Sequence, residues 1–124
     1  YDYILLLQPT SPLRKSKHID NAISFFHKNK RKSLISIYSS KIKRKNSIYL
    51  TKKNYLKKNI KKAKKIDKNL YVNGAIYMSQ TNYFRKKKEF LTDLTSPFFM
   101  PEKKSYDIDY LDDFLKIKKI MKKL

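Results

Sequence analysis

Apolar and polar positions along the chain mark out its elements. Tyr3-Ile4-Leu5-Leu6-Leu7 is a continuous apolar run closed by Gln8-Pro9-Thr10-Ser11-Pro12, which reads as a central strand emptying into a fixed loop. Ser16 then stands as an N-cap ahead of Ile19, Ala22, Ile23 and Phe26, the i, i+3, i+4, i+7 spacing of an amphipathic helix that ends near Asn29. After the basic turn Lys30-Arg31-Lys32, the run SLISIY from Ser33 to Tyr38 is a second strand. Such a strand, helix, strand unit predicts parallel pairing through a right-handed crossover.

Between residues 41 and 68 the pattern loosens. This stretch holds 13 Lys/Arg and one acid, Asp67, with Ile48, Tyr49, Leu50, Tyr55, Leu56, Ile60 and Ile66 as scattered apolar anchors. It reads as an excursion from the main sheet, partly strand near 48–51, rather than as core. Leu70 to Ser79 is another strand, interrupted by Asn73-Gly74, where a glycine predicts a bulge or a close approach to the backbone. Thr81 is placed to cap a short helix carrying Tyr83 and Phe84, and Phe98-Phe99-Met100 is a last short strand stopped by Pro101. In the final helix Leu111, Phe114, Leu115, Lys118, Met121 and Leu124 form an apolar stripe broken once. Its acids stand at the start and its lysines toward the end, as the helix dipole favours.

Composition narrows the function classes. The chain of 124 residues suffices for one domain with a modest core. Its 31 Lys+Arg against 10 Asp+Glu give a formal net charge of +21, which puts an anionic partner first. A hydrophobic share of 40%, clustered in runs, excludes a disordered basic tail. The absence of cysteine excludes disulfides, thiolate metal sites and thiol nucleophiles. No apolar run approaches the ~20 residues that cross a bilayer, and no basic segment precedes the first run, so a cytoplasmic protein with no membrane partner is expected. Gly74 is the one glycine, too few for a loop that cradles phosphates. Because the chain also begins without Met and drops straight into a strand, a preceding N-terminal part is expected.

The polar residues offer few sites for chemistry. Asp107-Ile108-Asp109 places two carboxylates on one side of an extended segment. They suit a hard cation such as Mg2+, which takes one or two carboxylates plus substrate phosphate oxygens, but spacing alone favours the capping of the helix that follows, since acids at helix starts are commonplace. Gln8 sits at the mouth of the first strand, where open α/β sheets bind ligands, and its amide can donate and accept toward a polyhydroxylated substrate. The alternative is that Gln8, Thr10 and Ser11 satisfy loop backbone groups. His18 and His27 have no ligand-spaced partner and read as solvated surface. No activated Ser, Thr or Cys is visible, so an enzyme built this way takes its nucleophile from a substrate. Tyr49, Tyr55 and Tyr71 interleaved with lysines also fit a basic RNA- or DNA-binding module. Against it, only Arg14, Arg31, Arg44 and Arg85 are arginines, and the lysine excess runs through the whole chain as A/T-rich codon drift would produce it.

Taken in order, residues 5–14 (LLLQPTSPLR), 73–77 (NGAIY) and Met100-Pro101 followed by 105–109 (SYDID) resemble the acylneuraminate cytidylyltransferase family, the CMP-sialic acid synthetases. The resemblance implies a three-layer α/β/α, Rossmann-like nucleotide-diphospho-sugar transferase fold with a mixed, mainly parallel sheet, incomplete at its N-terminus. It makes residues 1–124 the C-terminal part of a single cytidylyltransferase domain, the CTP-binding loop lying before Tyr1. The implied reaction transfers CMP from CTP to the anomeric hydroxyl of a nonulosonic acid (sialic, pseudaminic or legionaminic) and releases pyrophosphate, an activity this portion alone would lack. By the same resemblance Asp107 and Asp109 are the catalytic Mg2+ pair, and Gln8, Asn73, Tyr77 and Phe90 face the sugar, while Arg14 locks the loop. Residues 41–68 correspond to the family's dimerisation region, which implies a homodimer for the full-length protein, with no dedicated nucleic-acid partner.

Two positions depart from the family pattern. With no arginine between Arg44 and Arg85, the sugar carboxylate would fall to Lys61, Lys62, Lys64 or Lys65, each a point charge rather than a bidentate fork. The second of two adjacent pocket aromatics is replaced by Leu91. Both leave the choice of sugar open.

Overall fold

The computed structural model describes residues 1–58 and 69–123. In chain order they form β1 (Tyr3–Leu6), α1 (Ser16–Lys28), β2 (Ser33–Ser40), β3 (Ile48–Leu50), β4 (Leu56–Lys58), β5 (Asn69–Gln80), α2 (Thr81–Lys87), β6 (Thr95–Phe99), a 3-10 turn (Glu102–Lys104) and α3 (Leu111–Lys122). The class is α/β with one mixed sheet. None of these helices is long and apolar enough to cross a membrane.

The sheet corrects the expected pairing. Its order is β4-β3-β5-β2-β6, with β1 also pairing to β5. β1 and β2 do run in the same direction across α1, but β5 lies between them and is antiparallel to both. Only β2 with β6 is a parallel pair among the described strands. The sheet is therefore mixed but not mainly parallel in its pairings. A strand, helix, strand unit fixes direction while leaving room for a later strand to insert, and the 12-residue β5 takes that room.

β5 serves two neighbours in succession along one side. Its last residues pair with β1, from Leu6 opposite Tyr77 to Tyr3 opposite Gln80, and Leu70 near its start pairs with Ile48 of β3. Between those partners no strand among the described residues pairs with β5 on that side, so a notch opens at residues 71–76. On its other side the ladder to β2 slips there, two steps on β2 from Ile35 to Ile37 facing five on β5 from Tyr77 to Val72. The bulge predicted at Asn73-Gly74 is this slip.

Two apolar clusters, one built on each set of alternating strand residues, hold the sheet. Ala22 and Phe26 of α1 pack with Leu34, Ile76, Met78 and Met100. Ile35 and Ile37 pack with Ile48 and Leu56, joined by the partly buried Val72, Tyr77, Phe90 and Leu91. The basic excursion is thus corrected in part. Its β3–β4 hairpin extends the main sheet and sends Ile48 and Leu56 into the core.

Helix ends also differ from expectation. His18 is buried rather than solvated, and its Nδ1 accepts the Lys15 N–H at 2.9 Å where a cap is needed. Burial lowers its pKa from 6.5, and Lys17, Lys104 and Lys15 lower it further. The unfolded chain then takes up a proton near pH 6.5 that the folded one resists, so this contribution to stability is present above 6.5 and lost as pH falls through it. A lower denaturant midpoint at about pH 5.5 than at about pH 7.5 is expected, with the dependence flattened in His18→Asn. Equal slopes in both proteins would refute the assignment.

α3 turns its smaller apolar face inward. Ile117 is buried, whereas Leu111, Phe114, Leu115 and Met121 of the predicted stripe are exposed. The helix carries apolar residues on both sides, and its rotation is set by the segment that leads into it.

Candidate functional site

β1, β2 and β6 run in one direction, so the loops after them emerge at the same edge of the sheet, where α/β folds place ligands. The loop after β1 fills the notch in β5. Ser11 Oγ donates to the Asn73 carbonyl at 3.1 Å, and Arg14 Nη1 bridges the carbonyls of Gln8 and Ala75 at 3.0 and 2.9 Å. These bonds satisfy β5 carbonyls that a neighbouring strand would otherwise take. Arg14 is thus a loop lock, as expected. Gln8 lies against Gly74, whose φ is +72°, and a Cβ on that residue would overlap Gln8 Oε1. Bulge and close approach are both present.

Asn73 is 3% exposed and its amide is fully engaged. Oδ1 accepts from Ser36 Oγ and from the Ala75 N–H, while Nδ2 donates to Ser105 Oγ at 3.0 Å and to Met100 Sδ at 3.5 Å. Ser105 Oγ donates in turn to the Pro101 carbonyl. From Ser105 the chain runs as a strap past Asp107 to Ile108, whose N–H donates to the Thr10 carbonyl at 2.8 Å. The third motif is thereby tied to the first through Thr10 and to the second through Asn73.

The strap leaves both carboxylates available. Asp113, one turn into α3, accepts the N–H groups of Asp109 and Tyr110 with Oδ2 at 3.2 and 3.1 Å and so does the capping. Asp107 Oδ1 accepts only the adjacent Ile108 N–H, and Asp109 is exposed. Among the described residues no group of three or more His, Cys, Asp or Glu side chains is placed to hold a metal ion. Two carboxylates without a third protein ligand fit a hard cation that keeps water or phosphate oxygens as its other ligands.

Both carboxylates line a cavity of about 330 Å³ with Tyr38, Arg44, Asn73 and Lys116 among its walls. Arg44 follows the carboxyl end of β2. Its Nη1 donates to Tyr38 Oη at 2.7 Å, its guanidinium lies 5.5 Å over that ring, and its N–H donates to Tyr71 Oη at 2.8 Å. A guanidinium held at one end retains free donors for an anion. The motifs pointed past Arg44 to Lys61, Lys62, Lys64 and Lys65, which lie outside the described residues. The available signal was topological: Arg44 is the one arginine of the stretch that leaves β2 at the edge carrying Gln8.

Gln8, Tyr77 and Phe90 are not walls of that cavity. The Tyr77 ring is 5.4 Å from that of Phe90, which also contacts Phe84 at 4.8 Å. Burial raises the Tyr77 hydroxyl pKa and the charge of Asp107 raises it further. Tyr38 is raised by burial too, with Arg44 opposing and Asp107 among the groups that add.

No family model matches the chain. Comparison with curated proteins bears out the resemblance carried by the three motifs. The chain is similar to the N-acylneuraminate cytidylyltransferase of Streptococcus agalactiae serotype V, 29% identical over 126 aligned positions that cover 91% of this chain. The proteins of that name from serotypes III and Ia are 30% identical over the same share. The aligned part is 29% of each relative, so the chain spans less than a third of their length.

Proposed function

We propose that this chain, similar over most of its length to N-acylneuraminate cytidylyltransferases, carries the sugar-facing and metal-facing side of a nucleotidyltransferase site. In the full-length protein that site would join CTP to a nonulosonic acid. The observation that supports it most is the tying of three distant segments to one another, through Gln8 on Gly74, Ile108 on Thr10 and Ser105 on Asn73.

The anomeric hydroxyl of the sugar acid attacks the α-phosphorus of CTP. A sugar–oxygen–phosphorus link forms, the bond to the β-phosphate breaks, pyrophosphate leaves, and the hydroxyl proton is released to water. No protein nucleophile is needed, so the protein's work is alignment and charge neutralisation. Gln8 would meet sugar hydroxyls, with Tyr77 and Phe90 as an aromatic wall beside them. Asn73, its amide engaged internally, would shape the pocket floor. Asp107 and Asp109 would hold Mg2+, which when bound neutralises triphosphate charge and polarises the phosphoryl group. The three-layer transferase fold, a homodimer contacting through residues 41–68 and a cytoplasmic location belong to the same reading.

Arg44 extends it. Its guanidinium is the proposed partner of the sugar carboxylate, in place of the lysines further along. Arg44→Ala is expected to raise KM for the sugar acid about tenfold with a smaller change in kcat, and Arg44→Lys to raise it less, because a lysine keeps the charge while losing the fork. An unchanged KM in Arg44→Ala would remove Arg44 from the site.

Nothing in the comparisons supports a nucleic-acid module. Tyr71, one of its three candidate stacking residues, is 4% exposed and its hydroxyl is occupied by the Arg44 loop, so it has no face for a base. The deciding assay is pyrophosphate release by the full-length protein from CTP with N-acetylneuraminic, pseudaminic or legionaminic acid. Release that depends on one of them supports the reading; none with any of them overturns it.

A further inference from the structure

The buried relay Ser36–Asn73–Ser105 belongs to neither substrate, yet it joins β2, the β5 bulge and the strap that carries both carboxylates. All three side chains are buried, Ser36 at 0%, Asn73 at 3% and Ser105 at 6% exposure. The relay has a direction. Ser105 Oγ donates its one proton to the Pro101 carbonyl at 2.7 Å, and therefore accepts from Asn73 Nδ2. Asn73 Oδ1 takes the Ser36 hydroxyl and the Ala75 N–H, which fixes the amide's orientation, and Ser36 Oγ in turn accepts the Ile76 N–H at 2.8 Å.

We propose that Ser105 is the positioning residue of the carboxylate strap: its bond from Asn73 sets where Asp107 and Asp109 stand. The inference rests on the reading that those two carboxylates bind a hard cation. Among the described residues the strap is bonded at two places before α3 begins: at Ser105, whose Oγ accepts from Asn73 and whose N–H donates to the Glu102 carbonyl of the 3-10 turn, and at the Ile108 N–H on Thr10. Just Tyr106 and Asp107 lie between them. With the Asn73 bond gone, Ser105 keeps only its main-chain bond to the Glu102 carbonyl, the direct tie from the strap to β5 is lost, and the spacing of the two carboxylates is set less tightly. A cation that takes two protein ligands is sensitive to that spacing, since the enforced geometry is what distinguishes a site from two separate surface acids.

The test uses full-length protein carrying Ser105→Ala, Ser105→Cys, which nearly conserves volume, and Ser105→Thr, which keeps the hydroxyl. Mn2+ is titrated into the site that Asp109→Ala abolishes, and amide hydrogen exchange is read across 105–109 without metal. Ser105→Ala and Ser105→Cys are expected to weaken Mn2+ binding about tenfold and to speed exchange of the Ile108 amide about tenfold, with β2 and β5 amides unchanged. Ser105→Thr is expected to restore both. Wild-type Mn2+ affinity and wild-type exchange in the alanine and cysteine variants would overturn the proposal. Mn2+ binding that is absent from the wild type, or that survives Asp109→Ala, overturns the cation reading instead. The exchange measurement, being metal-free, still decides whether Ser105 holds the strap.

Discussion

Gly74→Ala is expected to destabilise the fold by about 2–5 kcal/mol, from two separable causes. The backbone at φ +72° disfavours any side chain by about 1–2 kcal/mol. The new Cβ also overlaps Gln8 Oε1, and relieving that overlap displaces a side chain whose main chain is held by Arg14. Overpacking of this kind costs about 1–3 kcal/mol. A double-mutant cycle separates the two: with Gln8→Ala already in place the contact is gone, and Gly74→Ala should then cost only the backbone share. Urea midpoints at constant m-value report the difference. A cost below about 0.5 kcal/mol in the single variant, or the same cost in both backgrounds, would mean that Gln8 does not rest on this glycine.

The same residue shows what could be read in advance. A lone glycine in the middle of an apolar run has few explanations, and both that it raised, bulge and close approach, are present at Gly74. The β1 run, α1 and β2 were legible because their period is local: apolar positions every two or every three to four residues need no partner to be recognised. What pairs with what was not. β5 enters between β1 and β2 from 30 residues further along, and no local pattern in Tyr3 to Tyr38 encodes a neighbour that arrives later. The inward face of α3 failed for a related reason. Periodicity pointed to the one stripe of Leu111, Phe114, Leu115 and Met121, whereas Ile117 is the buried residue, and the bond that ties the helix's lead-in to the body, the Ile108 N–H on Thr10, joins segments far apart in the chain.

The site divides along the same line. Gln8, Asn73 and the Asp107–Asp109 pair were found as short motifs, and contacts tie their segments together. Arg44, proposed for the sugar carboxylate, was passed over because what recommends it is the sheet edge at which β2 ends, not any motif.

Asp109→Ala should abolish most activity and leave the fold almost unchanged, while Asp113→Ala should do the reverse. These aspartates stand four positions apart, and the sequence alone left Asp109 as either a helix cap or a cation ligand. Asp113 Oδ2 accepts both the Asp109 and the Tyr110 N–H, so its loss uncaps α3 at a cost of about 1 kcal/mol. Asp109 is exposed, so its removal should change stability by less than about 0.5 kcal/mol. If it holds Mg2+ with Asp107, however, losing it should slow pyrophosphate release by the full-length protein on the order of 10²–10³-fold, the scale of several kcal/mol of lost charge stabilisation. Asp107→Ala should match it. The two measurements cross, which makes the outcome hard to imitate: unfolding lowers stability and rate together, whereas loss of a ligand lowers the rate alone. An Asp109→Ala protein that keeps its rate within a few-fold of wild type would return both carboxylates to the surface and leave the cavity without its proposed chemistry.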